Sequence, residues 1–162
     1  MTSGRFAPPG TAVLTAVLTL ATSGCGDERP RCTDCPALEG RYRMGFGDGG
    51  VPDECTPLAV NLPQGEPLDI TRTGAELTGT LQGVSLRGTV SGQGSFSLSG
   101  NAASSPDGGV AKTLSLAGFY TPPVQDGGTA RLAGTYSGNF TRAGPVGPQR
   151  CNVVSPFSAT RL

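Results

Sequence analysis

From Leu38 onward the chain repeats one short phrase of leucine, a variable residue and glycine. The copies are Leu38-Glu39-Gly40, Leu77-Thr78-Gly79, Leu86-Arg87-Gly88, Leu98-Ser99-Gly100, Leu116-Ala117-Gly118 and Leu132-Ala133-Gly134. In five of them an apolar residue stands two places after the glycine: Tyr42, Leu81, Val90, Tyr120 and Tyr136. A β-strand has a side-chain period of two, so leucine, glycine and the next apolar residue share one face. Thr78 and Thr80, or Arg87 and Thr89, take the other. Glycine in the middle of an apolar face weakens a strand. It also lets a sheet coil tightly and another backbone come close, as a small closed barrel requires.

Turn-forming residues separate these phrases at short intervals, among them Thr73-Gly74, Gln82-Gly83, Ser91-Gly92-Gln93-Gly94, Asp126-Gly127-Gly128 and Gly144-Pro145. They predict strands near 39–46, 57–62, 67–73, 76–82, 84–91, 94–101, 111–121, 129–141 and 150–161. The fold class is therefore all-β, an antiparallel meander of eight or nine short strands. An up-and-down β-barrel is expected because every connection reads as a hairpin and closure removes exposed edges; a two-sheet sandwich is the alternative. The architecture is similar to that of small lipocalin-like and avidin-like barrels, although their tryptophan near the first strand has no counterpart here. A transmembrane barrel would need longer strands, an outward apolar band and aromatic girdles, whereas the chain has nine aromatic residues in all.

Composition adjusts this picture at three points. Glycine (26) and proline (14) make up about a quarter of the 162 residues, but the period-two pattern argues for a fold rather than low-complexity disorder. The formal charge is zero, which speaks against a nucleic-acid partner. Histidine is absent, which removes the commonest general base and metal ligand.

The N-terminus obeys a different pattern. Thr11 to Ala21 (TAVLTAVLTLA) is uncharged and mostly apolar, too short for a permanent bilayer span of about 20 residues and suited to a signal-peptide core. Thr22-Ser23-Gly24-Cys25 follows directly and resembles the lipobox of bacterial lipoproteins, with Thr22 where an aliphatic residue is usual. The resemblance implies cleavage before Cys25 and a palmitate-type lipid anchor on that cysteine. The organisation then reads as signal peptide 1–24, a tether 25–36 and a β-barrel domain 37–162. Secretion without lipid, after cleavage beyond Ser23, is the other reading. Gly26 in place of the aspartate that retains enteric-type lipoproteins at the inner membrane points to the outer membrane.

Export places Cys32, Cys35, Cys55 and Cys151 in an oxidising compartment, where four cysteines suit two disulfides. Three pairings are open. Cys55 with Cys151 and Cys32 with Cys35 is favoured, because the first pair closes a loop of about 97 residues, worth about 4.5 kcal/mol in a chain-entropy treatment. Cys32-Thr33-Asp34-Cys35 could also be a redox couple or half a zinc site, but neither a βαβ context nor two further ligands is visible.

Other candidate chemistry is sparse. Asp-Gly-Gly occurs at Asp48, Asp107 and Asp126, and is read as turn chemistry rather than calcium binding, since no loop has the D-x-D-x-G spacing. A nine-strand meander would put the Asp48 and Asp126 loops at one end and the Asp107 loop at the other. Gly-x-Ser-x-Gly and Ser-x-x-Lys are absent. Asp69 and Glu76 are the only carboxylates flanking a tight hairpin, which is thin ground for glycosidase-like chemistry, and solvated surface charge is the preferred reading of both. No catalytic residue, cofactor or metal is assigned. Two function classes follow: a non-enzymatic envelope module working through its outer face and loops, or a small-molecule binder using a lumen beside Phe96, Tyr120, Tyr136 and Phe140. The partners expected are the membrane, through the anchor, and a protein or a small apolar ligand.

Overall fold

The computed structural model describes residues 32, 34–105, 108–124 and 128–162. The segment 1–24 read as a signal peptide, Cys25, Asp107 and Asp126 lie outside the described residues. The strands are β1 (Gly40–Phe46), β2 (Pro67–Thr73), β3 (Glu76–Leu81), β4 (Val84–Val90), β5 (Ser95–Ala102), β6 (Ala111–Thr121), β7 (Arg131–Arg142) and β8 (Gln149–Arg161). Each pairs antiparallel with its neighbour in sequence, and β8 returns to pair antiparallel with β1, so the sheet is a closed up-and-down barrel rather than a sandwich. Closure gives every strand two partners and leaves no edge to template aggregation.

The alternation reads directly into the packing. Leu77 and Leu81, Leu86 and Val90, Leu114 and Leu116, and Leu132 and Tyr136 point inward and are buried in one continuous core. The outward positions of the same strands carry Thr78 and Thr80, Ser85 and Arg87, Ser115 and Ala117, and Thr135 and Ser137. This is the reverse of the arrangement that a lipid-embedded barrel needs.

The glycines of the repeated phrase sit where strands approach too closely for a side chain. Gly118 and Gly134 face each other across the β6–β7 ladder. A Cβ on Gly134 would run into the Ala117 carbonyl, and one on Gly118 into that of Ala133. The tight coiling needed to close eight strands thus has its physical basis in these positions.

One expected strand is absent. Residues 57–62 alternate as a strand should, but Asp53–Leu58 forms a 3-10 helix with Pro57 inside it, and Ala59 ends it in the left-handed conformation. Leu58 and Val60 are buried, yet they press on the end of the barrel rather than on a sheet. Pro57 and Pro63 cannot donate to a ladder, which counts against pairing. Losing that strand makes the count even, so the first and last strands run antiparallel and can close the barrel. It also reverses the parity of the later loops. The β1–β2 loop with Asp48 and the β5–β6 loop lie at one end, and the β6–β7 loop at the other, contrary to the assignment expected from nine strands.

Candidate functional site

The barrel has two chemically different ends. At the helix end, the segment 53–60 covers the opening. It is fixed by a disulfide between Cys55 and Cys151 of β8, both buried. Arg142 at the end of β7 donates to the Pro57 carbonyl at 2.6 Å and to Gln149 Oε1 at 2.7 Å. The chain thereby ties its longest strand pair to the cap.

At the tether end, residues 34–39 cross the opposite mouth. Leu38 is fully buried, and its carbonyl accepts a hydrogen bond from the Tyr42 hydroxyl at 2.8 Å. Above it, Arg72 Nε donates to Glu39 Oε2 at 2.8 Å, and Arg161 Nη2 donates to the Glu39 carbonyl at 2.6 Å. The hydrogen bond from Arg72, with another from the backbone, holds the Glu39 carboxyl below its ordinary value, against a smaller opposing effect of burial. Cys32 and Cys35 form the second disulfide, with Cys35 packed on the core and its Sγ 3.5 Å from the Val90 carbonyl. Both favoured pairings are therefore present.

The four lumen residues predicted from sequence all point inward and are at least nine-tenths buried, but they do not form one site. Phe96 and Tyr120 lie toward the tether end; Tyr136 and Phe140, four residues apart on β7, lie centrally and toward the helix end. Tyr42, Met44, Phe157 and Leu38 join them inside, so the lumen is occupied by side chains. The Phe46 ring meets Tyr136 edge-on, with centroids 5.5 Å apart.

The two interior tyrosines differ in one respect. Burial pushes both phenols up to about 12, with Arg161 partly opposing the shift at Tyr42, so both stay neutral at physiological pH. Tyr42 has the Leu38 carbonyl as partner, whereas the Tyr136 hydroxyl is buried without any among the described residues. It lies against Gly138, where an added Cβ would come within 2.9 Å of it.

The carboxylate pair does not assemble. Asp69 pairs with Thr80 and lies 3.5 Å from Arg41 Nε, while Glu76 pairs with Thr73 and Thr89. Four residues of β3 separate the two positions, roughly 13 Å along the strand, beyond either glycosidase spacing. Among the described residues no three His, Cys, Asp or Glu side chains converge as a metal site.

A surface depression of about 340 Å³ opens at the helix end, lined by Leu58, Ala59, Val60 and Asn61, by Gln82 of the β3–β4 turn, by Val110 just before β6 and Lys112 within it, and by Phe140. Nothing in the sequence pattern joined these segments, because they meet only when the 53–60 cap folds across the barrel. No protein-family profile matches the chain, and comparison with curated proteins gives no match.

Proposed function

We propose that this chain is an exported lipoprotein, anchored by lipid on Cys25 in the cell envelope, at the outer membrane. It carries a rigid barrel that acts without catalysis, through its outer face and loops. The observation that carries this reading is the filled lumen. A barrel whose interior is taken up by its own Leu, Tyr, Phe and Met side chains offers recognition chemistry on its outside. The two disulfides support residence in an oxidising compartment.

On this reading the anchor also implies an orientation. Six residues lie between Cys25 and Cys32, a reach of at most about 25 Å over seven steps. The chain then enters at the tether end, so that end faces the bilayer and the helix end, with its long β1–β2 loop, faces partners. A second reading, a small-molecule binder using the lumen, draws support from the unpartnered Tyr136 hydroxyl, the sort of group a bound polar atom would satisfy.

Native mass spectrometry of the protein extracted from its own membranes tests both readings. Expected is a mature chain from Cys25 with acyl mass, four oxidised cysteines and no retained compound. A retained small molecule would favour the lumen reading, and a chain without acyl mass would remove the anchor.

A further inference from the structure

We infer that the barrel leans on an anionic phospholipid surface through the tether end of the wall formed by β6, β7, β8 and β1. The inference rests on the lipid-anchored reading above and names what the anchored domain touches. Charge is divided unequally around the barrel. These four strands carry seven of the chain's twelve basic residues and no carboxylate. From the start of β6 to the end of β8 the one acidic residue is Asp126, in the β6–β7 loop. Strands β2 to β5, by contrast, balance Arg72 and Arg87 against Asp69 and Glu76. A wall of one sign draws the opposite sign to it even where the chain as a whole is neutral.

At the tether end of this wall the register sets Arg43 and Arg131 on either side of Thr160, all three exposed. Two strand spacings, about 10 Å, separate the arginines. Among the described residues neither has an ion pair. One row further from the rim, Phe119, Ala133 and Ser158 lie side by side on the outer face. Phe119 is 64% exposed, Val124 of the β6–β7 loop 89%, and Leu162 beyond β8 64%. Of the five large apolar side chains exposed among the described residues, these three stand at the tether end. Apolar side chains beside arginines match the layered chemistry of a membrane interface: the former enter at headgroup level, while guanidinium groups reach back to phosphates.

The tether selects lipid over other partners. It holds this end within about 25 Å of the lipidated cysteine, so a weak surface attraction acts at high effective concentration. The exposed apolar area falls well short of the about 800 Å² per partner of a stable protein interface. Phe119 stands two residues back from the end of β6, so its contact with lipid requires the barrel axis to tilt toward this wall.

The test uses the lipidated chain from its own membranes, its acyl mass on Cys25 confirmed, in vesicles of phosphatidylethanolamine and phosphatidylglycerol. A fluorescent label is placed in turn at Ala133→Cys beside Phe119, at Thr78→Cys on the opposite wall and at Val146→Cys at the helix end, and is quenched by nitroxide-labelled lipid. Quenching at Ala133 should exceed that at the other two sites at least about threefold. Phe119→Asp with Val124→Asp should bring it down to their level without changing the melting temperature. Exchanging phosphatidylglycerol for phosphatidylcholine, or introducing Arg43→Gln with Arg131→Gln, should lower it about fivefold. A preparation without acyl mass removes the anchor and this inference with it. With the acyl group present, equal quenching at the three sites, or quenching at Ala133 indifferent to phosphatidylglycerol, overturns this inference alone. A label at Ala133 reached neither by nitroxide lipid nor by iodide in water would mean that protein covers the wall, which overturns it too.

Discussion

The two ends of the barrel solve the same problem by different means. Each must keep water from a core of Leu, Tyr and Phe side chains. The helix end does so with a segment inserted between β1 and β2 and bonded to β8 across a sequence separation of 96. The tether end uses residues from the start of the domain, held by the Tyr42 hydroxyl, by Glu39 with Arg72 and Arg161, and by a disulfide spanning only three positions. A cross-link stabilises chiefly by restricting the unfolded chain, so the long loop gains far more from its bond than the short one. The comparison teaches that the distant cap depends on covalent closure, while the local one depends on hydrogen bonds and packing.

Removing each disulfide in turn should separate the ends most clearly. Cys55→Ala with Cys151→Ala is expected to cost about 4.5 kcal/mol, and Cys32→Ser with Cys35→Ser about 2 kcal/mol, in the same chain-entropy treatment. Urea denaturation of both double variants checks the order, and equal losses would break the contrast.

The two interior tyrosines give a smaller effect with opposite signs. Tyr42→Phe leaves the buried Leu38 carbonyl without its donor and should destabilise by about 1–2 kcal/mol. Tyr136→Phe removes a hydroxyl that has no partner and should stabilise by up to about 1 kcal/mol. A loss in both, read from thermal melts, would mean that the Tyr136 hydroxyl is satisfied by something bound, which would return weight to the lumen reading.

The smallest effect is a pH dependence at the tether end. Because the folded-state pKa of Glu39 lies below its ordinary value of 4.5, the pair with Arg72 stabilises fully above about pH 4.5 and loses that contribution as pH falls through the lowered value. The carboxylate is partly exposed, so screening limits the contribution to about 0.5 kcal/mol. Glu39→Gln should therefore be slightly less stable than wild type at pH 7 and equal to it at pH 2 to 3. A stability difference that persists unchanged into acid would assign the effect to packing.

Much of the barrel was legible beforehand because its period-two signal is local. The 67–73 and 111–121 strands coincide with β2 and β6, and the other true strands differ by no more than about two residues at their ends. The one false strand, 57–62, shows the limit of the same signal. Leu58 and Val60 alternate with exposed Ala59 and Asn61 whether they cover a sheet or plug an opening, and alternation records burial, not pairing. Asp69 and Glu76 stay apart for a related reason: nearness to one turn says nothing about the register that sets Asp69 opposite Thr80.

By itself the sequence determined which face of each strand is apolar, where the turns fall and where side chains are too large to fit, since these follow from a residue and its near neighbours. Export and lipidation of Cys25, also read from a local pattern, remain for the mass measurement. Only the tertiary structure decided that the meander closes, that Asp48 shares an end with the β5–β6 loop, and that Tyr42 finds a partner while Tyr136 does not. It alone brought Asn61, Gln82 and Lys112 around one depression. The physical reason is that those outcomes depend on strand parity and on contacts between segments far apart in the chain, and neither is encoded in any window shorter than the domain.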